Sequence, residues 1–498
     1  MEIDFLRNCV TIIPVHRRVD YSQEMIDRIR CGLKRLCLIW SFLLEDGMSK
    51  TNDFTTGKIL MPLIEFMLPV FFAMFLQSMY GAVDLLIVGQ FAQSLDVSAV
   101  STGSQMMMTI TNLVTSFAMG TTILLGQRIG EGRGRDGGEV VGSSICLFGL
   151  IAVALTLLVP LLSGQLSSLM NAPEEAFDAT SSYIRICGIG SVFIIAYNLI
   201  GSIFRGIGDS RTPLMTVLIA CVFNIAGDLL LVAVFRMGTA GAAIATVFAQ
   251  AVSVVISLLF LRKKELPFLF SLKSIRFRRP IVRKVTSLGL PIALQDLLVG
   301  ISFLVLLAIV NGLGLIPSAG IGVAERVCGF IMLIPSAFMQ AMAAFVAQNI
   351  GAGKYLRARK ALGYAIGVSA MLAVVMFAVT FWRGNLLSAV FSNDIQVIAA
   401  AADYLKAYAI DCLLTCFLFC FIGFFNGLGM TRFVMIQGII GAFGVRIPVA
   451  FLMSRETPVS MFHIGLATPC STILQVILCL ICFHAANRKY HASGNSEA

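Results

Sequence analysis

From about residue 58 onward the chain alternates long apolar runs with short polar breaks. The breaks fall at Gly, Pro or charged clusters, and each run is long enough for a bilayer core, which takes roughly 20 apolar residues to cross. The pattern predicts twelve spans: 59–88, 97–127, 138–162, 178–203, 212–235, 240–261, 286–312, 318–349, 361–382, 396–425, 433–454 and 463–486. Backbone in hydrocarbon must satisfy its own hydrogen bonds, so every span is read as helix. The expected fold class is an all-α polytopic membrane protein. Several runs are longer than the bilayer core requires, so those helices tilt, kink or project beyond it.

Charge adds the orientation. Nineteen Lys or Arg lie in the loops after the second, fourth, sixth, eighth and tenth spans, against Arg236, Arg383 and Arg455 alone in the loops on the other side. That asymmetry places the even-numbered loops, and with them both termini, in the cytoplasm. The expected location is a bacterial cell membrane, crossed many times. The net charge of +10 follows from this topology and the anionic inner leaflet, and no nucleic-acid partner is needed to explain it.

Composition sharpens the exclusions. The 498 residues are 58% hydrophobic and 13% charged, with a mean hydropathy of +0.89; soluble proteins carry about 25% charged residues. A soluble enzyme, a disordered chain and a secreted disulfide scaffold are excluded. Most of the thirteen Cys lie inside apolar runs, where Cys behaves as a small hydrophobe. Cys412, Cys416 and Cys420 form a helical stripe, and Cys479 and Cys482 are spaced as CxxC. No second pair at ligand spacing accompanies them, so no metal is expected.

Residues 1–57 are different: eight acids and eight Lys or Arg are interspersed, and no apolar core precedes a small-residue cleavage site, which excludes a secretory signal. They are read as a cytoplasmic extension without transport chemistry, and Met48 is an alternative translation start.

The sequence repeats itself. Gln127-Arg-Ile-Gly-Glu-Gly132 closes the second span, and Gln348-Asn-Ile-Gly-Ala-Gly353 closes the eighth. Phe204-Arg-Gly-Ile-Gly208 is answered by Phe425-Asn-Gly-Leu-Gly429 at the same offset, and Leu68-Pro69 by Leu290-Pro291 at an offset longer by one position. Three anchors in agreement define two parallel six-helix lobes: an N-lobe (58–261) and a C-lobe (285–487), joined by a basic cytoplasmic linker (262–284) and followed by a tail (488–498). Their symmetry axis runs along the membrane normal, one of the geometries from which transporters are built.

Ionisable groups inside spans are expensive and face a cavity or a partner. Asp84 lies in the outer half of the first span, well beyond Pro69, which is expected to bend the helix. Asp228 reaches a similar depth in the fifth span, with Asn224 one helical turn earlier on the same face, and Thr246 of the sixth adds a hydroxyl. Two carboxylates, an amide and a hydroxyl make a site for a proton or Na⁺: oxygen ligands suit hard cations, and a desolvated carboxylate favours its protonated form. The competing reading is a helix–helix hydrogen bond. Against it, the positions that answer Asn224 and Asp228 in the second lobe are Val445 and Val449, so a lobe does not need the pair to fold. Gln295, Asp296 and Asp411 are further substrate-cavity candidates, and Glu325-Arg326 and Arg446 are read as local charge pairing at least as readily as substrate contact. The Gly132–Gly137 match to GxGxxG follows a membrane helix with no strand before it, so it is not a dinucleotide site. The absence of a complete GxxxxGK[ST], HExxH or GxSxG removes the usual hydrolase arguments.

In combination these residues resemble the multidrug and toxic compound extrusion (MATE) family. The resemblance covers about residues 58–487 and rests on Val83-Asp84 with Val88-Gly89, Gly126-Gln-Arg-Ile-Gly130, Arg205-Gly-Ile-Gly-Asp-Ser-Arg-Thr-Pro213, Asn224…Asp228, Gly241-Ala-Ala-Ile-Ala-Thr246, Leu290-Pro291 and Gln348-Asn-Ile-Gly351. It implies that Asp84, Asn224, Asp228 and Thr246 match the family's cation-coupling site, and that Pro69 matches the proline at which its first helix bends. The NorM-like branch carries a Glu eight residues after the proline of its seventh helix. Val299 stands there in this chain, which looks more like the DinF-like branch.

The resulting expectation is a secondary antiporter, not an enzyme, that works without a cofactor. It exports organic, cationic and amphipathic compounds in exchange for H⁺ or Na⁺ by alternating access, and a monomer suffices. A flippase for lipid-linked substrates is the first rival, kept open by Arg326 and Arg446. An uncoupled receptor or channel is the second.

Overall fold

The computed structural model describes residues 53–264 and 266–494. Among them there is no strand. Eleven helices are long and apolar enough to cross a membrane, and a bent pair supplies the twelfth span. The N-lobe holds α1 (Leu60–Phe91), α2 (Ser94–Gly130), α3 (Gly134–Leu161), α4 (Phe177–Ile189 and Ser191–Gly206), α5 (Arg211–Asp228, running on as a π-helical turn, Leu229–Val234) and α6 (Gly238–Lys263). The C-lobe holds α7 (Arg279–Asn311), α8 (Leu315–Ile331 and Leu333–Gly351), α9 (Tyr355–Ala389), α10 (Ile395–Gly427), α11 (Thr431–Gly441, a π turn Ala442–Arg446, and Ile447–Met453) and α12 (Met461–Gly465 and Ala467–Gly494).

All twelve predicted spans are present, and their breaks have local causes. The halves of α4 meet at 53° around Gly190, where a β-carbon would fall 2.4 Å from a Val247 methyl. In α8 the break at Met332 precedes Pro335, which has no N–H to offer the Ile331 carbonyl. The largest boundary differences are at α7, at α9 and at α12, which runs on to Gly494. The first begins earlier than the apolar pattern, at Arg279, because Arg279, Arg283 and Lys284 are exposed over its first two turns. The second runs on past a kink at Arg383 (φ −121°, ψ 19°). The expected bend at Pro69 is not a break, since α1 is one continuous helix through it. In α7, Pro291 frees the Ser287 carbonyl, which accepts from the Thr431 hydroxyl (3.5 Å).

The end of the bundle bearing the basic loops, here the basic end, is where the lobes are joined. Two of the four buried cores straddle them. Leu63, Phe66 and Val70 of α1 pack into a C-lobe core with Phe338, Ala341 and Phe345 of α8. Val285, Leu288 and Ile292 of α7 pack into an N-lobe core with Ile123 and Leu125 of α2. Position by position these two triplets are repeat counterparts, at the offset that carries Pro69 to Pro291, so the lobes exchange the feet of their first helices. At the far end, by contrast, one core belongs wholly to the N-lobe, around Val88, Val100 and Tyr183. The other belongs wholly to the C-lobe, around Val310, Ile321 and Tyr404.

Reciprocal contacts between α2 and α8 close the basic end. Gln127 Nε2 donates to the Gly427 carbonyl (3.1 Å), and Gln348 Nε2 to the Gly206 carbonyl (3.0 Å). A β-carbon on Gly130 would lie 1.9 Å from the Gln348 carbonyl oxygen, and one on Gly351 would lie 1.9 Å from that of Gln127. Every member of one contact is the repeat counterpart of a member of the other, as the two faces of a twofold interface require.

The segments flanking the lobes are also docked. Phe54 is fully buried, its ring 5.3 Å from Phe66 and 5.1 Å from Phe345. Arg357 of α9 donates to the carbonyls of Phe54, Thr56, Gly57 and Lys58 at 2.6–3.1 Å, while Asn349 and Lys354 take those of Phe54 and Thr55. Phe54 to Lys58, which the sequence pattern assigns mostly to the polar extension, are thus docked against α8 and α9; Met48 lies outside the described residues. The linker packs too: Phe268 is buried against Gly137 of α3, Ser143 donates to the Arg276 carbonyl (3.1 Å), and Arg278 pairs with Glu139 (2.8 Å).

Overpacking a closed contact costs roughly 1–3 kcal/mol. Gly130→Ala and Gly351→Ala are each expected to lower the melting temperature of the detergent-purified protein. Gly149→Ala, where a β-carbon meets nothing within 4 Å, is expected to leave it unchanged.

Candidate functional site

Three helices build the N-lobe site. Asp84 projects from α1, Asn224 and Asp228 from one face of α5, and Thr246 from α6; Asp84 is 5% exposed, Asn224 1% and Asp228 0%. Asp228 is the last residue before the π turn of α5, a local widening that recurs at functional sites. The Thr246 hydroxyl donates to Asp84 Oδ2 at 3.5 Å, and Asp84 faces both Asp228 and Asn224. Asp84 Oδ1, both Asp228 oxygens and both Asn224 amide atoms are buried without a hydrogen-bond partner. Buried polar atoms are normally satisfied, and two facing carboxylates cannot both stay ionised out of water without a cation between them. This donor set, all oxygen and amide, fits a proton or a hard monovalent cation.

All four residues singled out in the sequence thus converge. Two neighbours were missed. Tyr80 lies beside Asp84 and Gln250, and its position one turn before Asp84, on the same helical face, was the available signal. Tyr183 faces Asp84 and Thr246 and packs on Gly103, where a β-carbon would lie 2.6 Å from its ring. Its repeat counterpart is Tyr404, an anchor that sequence reading passed over.

The C-lobe has a different centre. The positions answering Asp84, Asn224, Asp228 and Thr246 are Leu306, Val445, Val449 and Ala467, all apolar. In their place Arg446, 5% exposed at the end of the α11 π turn, donates to Ser302 Oγ (2.9 Å) and lies 4.1 Å from the Phe303 ring centroid. Asp411 is 2% exposed and accepts from Thr415 Oγ1 (2.9 Å), with Arg446 in its surroundings. Glu325 does not pair with Arg326 as expected: adjacent helical residues diverge, and Glu325 Oε1 is buried without a partner. Arg446 likewise forms no ion pair among the described residues. Gln295 packs against Gly438 of α11, and Asp296 accepts a hydrogen bond from Ser116 of α2 across the lobes. Gln295, Asp296 and Asp411 therefore sit apart from the N-lobe carboxylates. No His, Cys, Asp and Glu cluster among the described residues has the arrangement of a metal site.

Twelve spans in two parallel lobes, one of which holds a buried carboxylate pair with a single hydrogen-bonded oxygen, are the architecture of a membrane transporter. The profile of the MatE family matches residues 69–230 and 291–452, one match in each lobe. The chain belongs to the MatE family, and it is a transporter, not an enzyme. Among curated proteins it is 24% identical over 421 residues to "Probable multidrug resistance protein YoeA" of Bacillus subtilis, covering 83% of this chain and 91% of that one. It is 25% identical over 405 residues to "Multidrug export protein MepA" of Staphylococcus saprophyticus, covering 80% and 88%. Among solved structures, an outward-facing multidrug resistance MATE family transporter of the MOP superfamily shares the fold with a TM-score of 0.81 and 20% identity, over 89% of this chain and 99% of that one.

Replacing a buried polar pair by apolar residues is often neutral, or stabilising by about 1–4 kcal/mol. The double variant Asn224→Val, Asp228→Val gives the N-lobe the residues the C-lobe already has. It is expected to purify with unchanged helicity and an equal or higher melting temperature.

Proposed function

We propose that this transporter exports organic cations, amphipathic and drug-like, across the cell membrane in exchange for H⁺ or Na⁺. The observation that carries this reading is the buried N-lobe quartet Asp84, Asn224, Asp228 and Thr246, with five polar atoms awaiting a partner. The names of the curated relatives, multidrug resistance and export proteins, support the substrate class.

The basic end faces the cytoplasm on the positive-inside rule, which puts both termini there. The shared cores and the glutamine contacts then close the cytoplasmic side, and the carboxylates are loaded from outside. Binding of the cation neutralises the pair and removes the charge that holds a cationic substrate. Substrate leaves outward, the basic end opens, and the cation is released inside. Each monovalent cation moving inward gains roughly 2.3 kcal/mol per 100 mV, which sets the scale of uphill export. The asymmetry between the lobes supports coupling through the N-lobe, and on this reading a monomer suffices for the cycle.

In proteoliposomes, an inward H⁺ or Na⁺ gradient is expected to drive uphill efflux of a cationic dye. Asp228→Asn is expected to abolish uphill movement, a loss of at least about tenfold in rate. Uphill efflux that persists in Asp228→Asn, or that neither gradient drives in wild type, overturns the proposal.

A further inference from the structure

The carboxylate site has an extension toward the basic end. A narrow cavity, with room for about one water molecule, begins at Asn224 and Thr246 and is lined by Gln77, Tyr80, Tyr197 and Gln250. In every helix that contributes, these groups lie on the basic-end side of the carboxylates: Gln77 and Tyr80 precede Asp84 in α1, and Gln250 follows Thr246 in α6. The polar side chains are strung together, with Gln77 Nε2 donating to the Tyr197 hydroxyl (3.4 Å) and Gln250 beside the Tyr80 hydroxyl.

Below Tyr197 the same face of α4 presents Gly201 and then Arg205, at i+4 and i+8. Arg205 folds back along the helix. Its Nη1 lies 3.4 Å from where a Gly201 β-carbon would be, in the space that the glycine leaves open. Its Nη2 donates to Ser202 Oγ (3.0 Å), its Nε is buried without a partner, and the titratable group facing it is Tyr197. No acid forms an ion pair with it among the described residues. Half-buried and without that counter-charge, the guanidinium lies on the basic-end side of Tyr197, which lines the cavity that begins at the proposed cation site. In the C-lobe the corresponding stripe is Leu418, Ile422 and Asn426, and Gln77 is answered by Val299. The Gln77–Tyr197 pair and Arg205 thus have no counterparts in the C-lobe.

We propose that Arg205 is a charge barrier at the basic-end foot of the N-lobe: it keeps the coupling cation in the carboxylate chamber and prevents it from leaking to the cytoplasm through the lobe. This rests on the coupling reading of Asp84 and Asp228. A fixed guanidinium beside a narrow polar passage repels protons and metal cations, as in other selective pores. Coupling then depends on it, because a chamber open outward and leaking inward would dissipate the gradient without moving substrate.

The test measures leak in the absence of substrate. Wild type and variants are reconstituted in proteoliposomes under an inside-negative potential, with proton entry read by trapped pyranine and Na⁺ entry by radioactive Na⁺. Arg205→Gln is expected to raise entry of the coupling ion at least tenfold, with Arg205→Lys within twofold of wild type. Adding Asp228→Asn to Arg205→Gln is expected to return the leak to the wild-type level, since the path runs through the chamber. If Arg205→Gln does not survive purification, Arg205→Met retains the side-chain packing and puts the same question. Leak within twofold of wild type in the neutral variant, or a leak that persists in the double variant, overturns the proposal. These readouts need no substrate, so they fail or hold independently of the efflux result for Asp228→Asn alone.

Discussion

The close crossing of α2 and α8 at the basic end is the constraint on which the rest of the molecule depends. Two glutamine amides reach across to carbonyls of the opposite lobe, and two glycines let the backbones approach to a distance no side chain would permit. Each hydrogen bond contributes only about 0.5–1.5 kcal/mol net, so the amides serve mainly as register. The larger stabilisation lies beside them, where the exchanged feet of α1 and α7 complete the core of the other lobe. Cores shared at one end and separate at the other give the two lobes one place to part without loss. Opening at the basic end requires both feet to leave their hosts, a discrete change between two packings and not a gradual flexing.

Within that frame the lobes do different work with similar helices. Both carry a π turn in their fifth helix, beside a buried charged residue. In the N-lobe this is Asp228, facing a second carboxylate; in the C-lobe it is Arg446, held by Ser302 and Phe303. The N-lobe π turn thus carries a carboxylate and the C-lobe π turn a guanidinium, and the proposed coupling rests on that difference.

Much of this was legible in the sequence because bilayer spanning leaves few choices: run length gave the twelve spans. The paired repeat anchors were visible as similarity, and Gln127 and Gln348 prove to reach each into the opposite lobe, to Gly427 and Gly206. Asp84, Asn224, Asp228 and Thr246 were legible because ionisable and polar groups are rare in spans. What was hidden depends on which helix packs on which. The exchange of helix feet needs tertiary contacts, since Leu63 and Val285 look like any core residues. Phe54 and Arg357 sit in segments whose polarity resembles a free tail and a solvated loop. Glu325-Arg326 read as a pair because the residues are adjacent, although a helix points neighbours apart.

The grip of Arg357 on the segment before α1 bears on how the protein is made. Phe54 and Arg357 are 303 residues apart, and the carbonyls that the guanidinium satisfies belong to the first part of the bundle to leave the ribosome. At about 5–20 residues per second, those carbonyls wait on the order of 15–60 s for their donor. During that time the foot of α1 has no host, because α8 has not been synthesised either. The N-lobe cannot be finished first and the C-lobe added to it; the last step that completes the first helix is the arrival of the ninth. A chain stopped after six spans would present its leading segment, with Phe54 uncovered, to whatever membrane quality control meets it.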